Sequence, residues 1–253
     1  MRKNIKDTSW EKSSTKYNKE VGIDGHYYHR QVIMPRVLEL LNLKQGDSIL
    51  DLACGQGILS RNIPVGVEYL GLDLSQSLIK DAQSMNKNLD VNFLKKDVSK
   101  DLKIKENNFS HSTIILALQN IKDGKKAILN AKEYLRKNGI LLIVLNHPSY
   151  RIPRHAGWDE NFEQQKQARW VDNYMTPLEI PIIMHPGKAN SEKTWSFHNP
   201  LSIYSRWLKS AGFYIEEIDE LISDKKSFGK NAKMENKARL EIPMFMIIKA
   251  IKK

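Results

Sequence analysis

Three aspartates stand at the ends of three apolar runs, and their types and spacing are what could do chemistry in this chain. Asp51 follows Ser48-Ile49-Leu50 and leads into a turn of small residues, Ala53-Cys54-Gly55-Gln56-Gly57. Asp73 closes the run Val67 to Leu72, and Asp97 follows the run Val91 to Lys95. Glycine lets the backbone of such a turn approach a ligand closely. A dinucleotide site wants G-x-G-x-x-G/A, so that a helix N-terminus can meet a pyrophosphate. Here the third position is Ser60, and Asp51 would repel that dianion. A carboxylate just ahead of the glycines suits a cationic ligand instead. Asp73 lies 22 positions after Asp51, near the spacing of about 20 residues at which an acidic residue meets a ribose in nucleotide-binding βαβ units. One carboxylate can accept from both ribose hydroxyls.

The stretch Asp51-Leu-Ala-Cys-Gly55-Gln-Gly57, with Asp73 and Asp97 in register behind it, resembles motif I and the following acidic positions of class I S-adenosylmethionine-dependent methyltransferases. The methionine end of that cofactor carries an ammonium and a sulfonium, the cation that Asp51 would suit. The resemblance implies S-adenosyl-L-methionine as cofactor and S-adenosyl-L-homocysteine as product. It implies that Ala53, Cys54, Gly55 and Gly57 pass beneath the methionine part while Asp51 balances its charge. It further implies that Asp73, with Leu74 beside it, takes the ribose hydroxyls. Asp97 and Val98 would hold the adenine, and Ala117 would line the pocket near the sulfonium. Cys54 reads as a small turn residue rather than a nucleophile. The expected activity is methyl transfer to a small-molecule acceptor. A tRNA or rRNA acceptor is the alternative, and a catalytically silent cofactor-binding protein is a third reading.

Methyl transfer from a sulfonium is an in-line displacement with a good leaving group, so proximity and alignment can supply much of the catalysis. A general base is needed only if the acceptor must lose a proton. His147 is the leading candidate base, because it leaves a central strand at the edge where open α/β sheets bind ligands. Tyr28, His29, Arg151 and His198 are candidate substrate contacts. Arg151 and Arg154 would suit an anionic acceptor, or equally ion pairs with Asp159 and Glu160. The stretch Asn146-His147-Pro148-Ser149-Tyr150 departs from the Asn-Pro-Pro-Tyr motif of amino-directed nucleic-acid methyltransferases at His147, and it follows the fifth strand rather than the fourth. The seven histidines include no H-E-x-x-H spacing, so no metal site is expected.

The elements that must position these residues alternate as strand and helix. The expected fold is α/β, a doubly wound, mostly parallel seven-stranded sheet with an antiparallel last strand and a lid insertion after strand five. Residues 1–42 read as an N-terminal arm and cap helices, 43–146 and 199–253 as the core, and 147–198 as the lid. Ser75 is placed to cap a helix through about Met85, and Asp123 one through Lys137 that ends at Asn138-Gly139. The lid predicts a helix near Asp159 to Asp172 and extended segments around Glu179 to Met184. Asn199 and Pro200 start a helix ended by Gly212, and Phe213 to Leu221 follows as a strand. A lysine-rich excursion (Ser223 to Lys237) then precedes a last strand, Ile242 to Ile251.

At 253 residues the chain has room for one sizeable α/β domain with an insertion. With Cys54 as the single cysteine, an intrachain disulfide or thiolate-rich metal site is excluded. No apolar run approaches the roughly 18 residues of a membrane span, and the basic N-terminus lacks the apolar stretch of a signal peptide. The expectation is a cytoplasmic protein. The net charge of +11 invites a nucleic-acid partner. Ten of the 40 basic residues are arginine, however, and dispersed lysine more often marks a solvated surface. Lys95, Lys96, Lys125 and Lys126 gathered at a pocket mouth would favour the nucleic-acid reading.

Overall fold

The structure, a computed structural model, describes Thr8, Trp10, Glu11, Val21, Gly22 and residues 25–87, 90–183 and 193–253. Most of the expected arm, Asp24, and the segment with Met184 and His185 lie outside the described residues.

Eleven strands are described: β1 (Ser48–Leu52), β2 (Glu68–Asp73), β3 (Val91–Lys95), β4 (Phe109–Ile115), β5 (Leu135–Asn146), β6 (Ala156–Asn161), β7 (Lys166–Val171), β8 (Leu178–Ile183), β9 (Lys193–His198), β10 (Phe213–Leu221) and β11 (Phe245–Lys252). Seven form one sheet in the order β10-β11-β5-β4-β1-β2-β3. The pairs from β5 to β3 are parallel, and β11 runs antiparallel to both β5 and β10. This is the expected mostly parallel sheet with an antiparallel last strand. Leu141 to Leu145 in β5 are all fully or nearly fully buried. A continuous apolar run of this kind belongs to a strand covered on both faces. Successive residues divide between the two faces. Leu50, Leu70 and Ile143 pack on one side, Ile49, Tyr69 and Leu142 on the other.

Helices α1 (Met34–Leu41), α2 (Gln76–Met85), α3 (Gly124–Tyr134), α4 (Leu201–Ser210) and α5 (Ala232–Glu241) are described. A π-helical turn, His29–Ile33, runs directly into α1. Ser75 caps α2 by accepting from the Leu78 N–H, and Asp123 caps α3 by accepting from Lys126 N–H. The Leu201 start of α4 puts Pro200 at the N-cap, one residue later than expected.

Three elements differ from the sequence reading. The segment expected as a helix from Asp159 to Asp172 is the antiparallel hairpin β6–β7. Trp158, Trp170 and Val171 favour strand, and half-buried positions alternate with exposed ones along β7, a period of two that its charges disguised. Helix α3 stops at Tyr134 rather than Lys137. Asn138 does adopt a left-handed backbone (φ 60°), but within β5, where the pairing with β4 shifts register. The lysine-rich excursion runs into α5, and the last strand starts at Phe245 rather than Ile242. The second hairpin, β8–β9, supplies the extended segment expected around Glu179.

Candidate functional site

The carboxyl ends of β1, β2 and β4 open onto one cavity of about 470 Å³, which also reaches the β8–β9 hairpin. Asp51, at the β1 end, is buried, and both carboxylate oxygens accept from buried hydroxyls. Tyr69 Oη donates to Oδ2 at 2.6 Å and Thr113 Oγ1 to Oδ1 at 2.7 Å. Burial nevertheless outweighs these bonds and pushes the Asp51 carboxyl up to about 6, with Asp73 adding to the rise. Among the described residues no cation pairs with it. Ala53 (φ 61°) and Leu116 (φ 52°) hold left-handed backbone just beyond β1 and β4, and both line the cavity. Such conformations cost energy in residues other than glycine and concentrate at ligand sites.

The turn after β1 is held from behind. Asp73 Oδ2 accepts from the Gly55 N–H at 2.9 Å, and Oδ1 from the Ser75 N–H at 2.8 Å. Burial raises the Asp73 carboxyl, and these backbone bonds oppose it. Gly55 (φ 58°) lines the cavity. Gly57 (φ 74°) instead backs the turn, where an added Cβ would come within 2.8 Å of the Phe93 ring. Cys54 also lines the cavity, and burial pushes its thiol well above the ordinary range, which suits an inert turn residue rather than a nucleophile.

Leu74, Asp97, Val98 and Ala117 all lie on the cavity wall. Burial alone would raise the Asp97 carboxyl, but hydrogen bonds from Ser99 and Lys100 outweigh it and hold the group low. The backbone beside it is fixed by Asn130, whose Nδ2 donates to the Val98 and Lys100 carbonyls at 2.9 and 2.7 Å. Asn130 escaped the sequence reading, although an asparagine between Ala127 and Ala131 on the buried stripe of α3 was its signal.

A short piece of the N-terminal region also closes on the site. Thr8 and Trp10 line the cavity, and the Glu11 carboxylate accepts from Ser75 Oγ (2.6 Å), Ser77 Oγ (2.6 Å) and the Ser77 N–H (3.2 Å). These bonds, led by Ser75, bring the Glu11 carboxyl down to about 2.

The expected catalytic and substrate residues stand differently toward the cavity. His147 is buried and off the cavity wall. Its Nδ1 accepts from the Ser149 N–H at 3.2 Å, which leaves Nε2 to donate to Glu220 at 2.6 Å. An imidazole bonded at both nitrogens has no lone pair for an acceptor's proton. Tyr28 packs on Phe245 and pairs its hydroxyl with Ser223, away from the wall. His198 Nε2 donates to the Tyr174 carbonyl, and other residues of β9, Thr194 and Ser196, face the cavity. Arg151 is half-buried and off the wall. Among the described residues neither it nor Arg154 pairs with Asp159 or Glu160. Of the five expected substrate or catalytic residues, His29 reaches the cavity. Among the described residues no three His, Cys, Asp or Glu side chains gather to hold a metal, and no helix is long and apolar enough to cross a membrane.

Comparison with known proteins agrees with this architecture. Residues 50–143 match the family described as "Methyltransferase domain". The chain is 30% identical over 131 residues to the demethylmenaquinone methyltransferase of Staphylococcus carnosus (strain TM300), covering 50% of this chain and 54% of that protein. It is 29% identical over 179 residues to the demethylmenaquinone methyltransferase of Paenarthrobacter aurescens (strain TC1), covering 70% and 66%. The chain thus spans between half and two thirds of the length of these relatives. The crystal structure of an S-adenosylmethionine dependent methyltransferase from Mesorhizobium loti superposes with a TM-score of 0.68 at 22% identity, covering 91% of this chain and 100% of that one. The chain thus shares the Rossmann-like fold of S-adenosylmethionine-dependent methyltransferases of known structure, and its residues 50–143 are similar to the methyltransferase domain family.

Proposed function

We propose that this protein moves the methyl group of S-adenosylmethionine to a small-molecule acceptor bound beneath the β8–β9 hairpin. The observation that carries this reading is the continuity of the cavity. One space of about 470 Å³ joins Asp51, Asp73 and Asp97 at the strand ends to Ile182, Thr194 and Ser196 of the hairpin. A buried carboxylate with its proton affinity raised and, among the described residues, no cation beside it fits the positive end of this cofactor. When bound, S-adenosylmethionine supplies an activated methyl group on a sulfonium. Asp51 would balance that charge and Gly55 would admit the backbone close to the methionine part. Asp73 keeps lone pairs for ribose hydroxyls beyond its two backbone bonds, and Asp97 with Val98 would hold the adenine. In this reading residues 147–198 act as a lid over the acceptor, and residues 1–42 as an N-terminal arm and cap helices beside a core built from 43–146 and 199–253.

A small acceptor is favoured over a nucleic acid by where the lysines fall. Lys95, Lys96, Lys100 and Lys103 line a separate groove of about 300 Å³ that shares only Leu74 and Asp97 with the main cavity. That is the adenine side in this assignment. Lys126 is tied to Asp101 at 2.6 Å. The two relatives above are named for methylating demethylmenaquinone, again a small molecule. Calorimetric titration with S-adenosylmethionine, S-adenosylhomocysteine and NAD, repeated with bulk tRNA, tests the reading. Micromolar binding of the two sulfur nucleotides, none of NAD and no salt-dependent tRNA signal is expected. Failure of both sulfur nucleotides to bind would overturn it, and a salt-dependent tRNA signal would replace the small acceptor with RNA.

A further inference from the structure

The half-buried arginines of this chain are of two kinds. Arg36, on α1, has three carboxylates around its guanidinium: Glu39 at 2.9 Å, Glu217 at 2.6 Å and Asp219. These bonds, led by Asp219, tighten its hold on the proton. Arg151 and Arg169 are half-buried as well. Among the described residues no carboxylate pairs with either.

Backbone contacts hold both in place. Arg151 sits in the turn that leaves β5, where the Tyr150 and Arg151 N–H groups donate to the His147 carbonyl at 3.2 and 2.8 Å. The next residue, Ile152, is buried. Arg169, in β7, donates from Nε to the Tyr150 carbonyl at 2.8 Å. Its Cζ lies 5.1 Å from the centre of the Trp158 ring, the cross-strand neighbour in β6. The Tyr150 carbonyl and the Arg151 N–H belong to one peptide unit, so β7 brings its guanidinium to the base of the Arg151 side chain. The Nη groups of Arg169 and the whole Arg151 guanidinium make no hydrogen bond to a described residue. The two charges also act on each other. Burial first, and then the Arg151 charge, pull the Arg169 guanidinium down. Burial does the same to Arg151, opposed by the Tyr28 phenol.

A guanidinium withdrawn from water needs acceptors or a counter-charge in its place. Two of them side by side add repulsion. The Trp158 face and one carbonyl offset part of this cost for Arg169. For Arg151 no described side chain does. A planar fork of N–H donors matches the oxygens of a carboxylate or a phosphate, and arginine is favoured wherever such groups are recognised.

We propose that Arg151 and Arg169 form an anion site, outside the cavity, that takes a carboxylate or phosphate group between their guanidinium forks. The site borders the cavity through the turn itself, because Asn146 and Pro153, on either side of Arg151 in the chain, both line that cavity. Arg154, which the sequence groups with Arg151, is exposed and takes no part. The site goes beyond the methyltransferase reading and stands or falls without it.

The test is isothermal titration of the cofactor-free protein at neutral pH with inorganic phosphate and with malonate, against chloride at matched ionic strength. At least one of the two is expected to bind saturably, with a Kd of about 1 mM or tighter. The tighter one tells whether the natural ligand carries phosphate or carboxylate. Arg151→Gln should weaken that binding by about tenfold or more, the loss of a charge-assisted pair. Arg169→Lys keeps the charge but not the fork and should weaken it by about threefold or more. Arg154→Gln should change it by less than about twofold. The Arg151 guanidinium bonds to no described residue in the ligand-free fold, so Arg151→Gln should melt no lower than the parent in chloride buffer. That readout separates a ligand site from a structural arginine. Binding of neither anion above the chloride background overturns the proposal. So does an Arg151→Gln protein that binds as the parent does or melts well below it. An equal loss in Arg154→Gln also overturns it, because diffuse surface charge would then explain the binding. None of these outcomes bears on S-adenosylmethionine binding.

Discussion

Asp51→Asn separates what a buried carboxylate does for folding from what it does for the cofactor. The Asp51 carboxyl moves from an ordinary 3.8 to about 6 in the folded protein. At about 1.4 kcal/mol per unit, keeping that group ionised above pH 6 costs the unliganded fold about 3 kcal/mol. The sign follows from proton binding. The folded state holds the proton more tightly than the unfolded state. The contribution to stability is therefore present in full below pH 3.8 and is lost as pH rises through 6. Asparagine has the same shape and never ionises, and the Tyr69 and Thr113 hydroxyls can rotate to serve its amide. At pH 8 the unliganded variant should therefore melt higher than the parent by up to about 3 kcal/mol, or several degrees for a chain of this size. Its affinity for S-adenosylmethionine should nevertheless fall by roughly tenfold to a hundredfold, the loss of one nearby opposite charge. In the parent that affinity should decline below about pH 6 as Asp51 takes up its proton, and in the variant this step should vanish. Thermal melts from pH 5 to 9 and calorimetry at the same points measure both halves. A variant less stable than the parent at pH 8, or one that binds the cofactor equally well, would refute the reasoning.

Asp73→Ala removes both the assigned ribose acceptor and the anchor of the Gly55 N–H. Cofactor affinity should drop more than about tenfold, and a change within about twofold in calorimetry would sink the assignment. Glu11→Gln weakens three hydrogen bonds from Ser75 and Ser77, so cofactor dissociation in stopped flow should quicken; an unchanged rate would mean that this contact does not hold the site closed. The low Glu11 value means its contact is present above the ordinary 4.5 and lost only as pH falls through about 2. Acidification to pH 4 should not mimic the substitution. Gly57→Ala forces a Cβ onto the Phe93 ring at a left-handed position and should destabilise the fold by about 2–4 kcal/mol in denaturant melts; a loss below about 0.5 kcal/mol would contradict the packing described.

The parts of the fold that were legible in the sequence are those written in local chemistry. Apolar runs ending in Asp51 and Asp73 are strands because a parallel strand is buried on both faces, and Ser75 and Asp123 cap helices because each supplies the acceptor that a helix start lacks. The β6–β7 hairpin was not legible. The stretch Asp159 to Asp172 read as a helix, whereas the alternation that makes a strand becomes visible only once one face is half covered. The pairing of Asp51 with Tyr69 and Thr113 was equally hidden, since three residues on adjacent strands share no spacing in the chain.

The two histidines make the same point for the site. His147 leaves a sheet strand at the edge where ligands bind, and position alone made it the candidate base. Its ring has partners of its own. The Ser149 N–H lies within the same turn, while Glu220 arrives from β10, 73 residues away, and together they occupy both nitrogens. His29 lies in a dense cluster of aromatic and imidazole side chains that a packed helix would explain as well. A π-helical turn places it on the cavity wall with Nδ1 unpartnered, and single π turns of this kind recur at functional sites. Spacing can bring a residue to the right edge of a sheet. Whether a lone pair remains free there depends on partners from distant strands, and that decides whether an acceptor can use it.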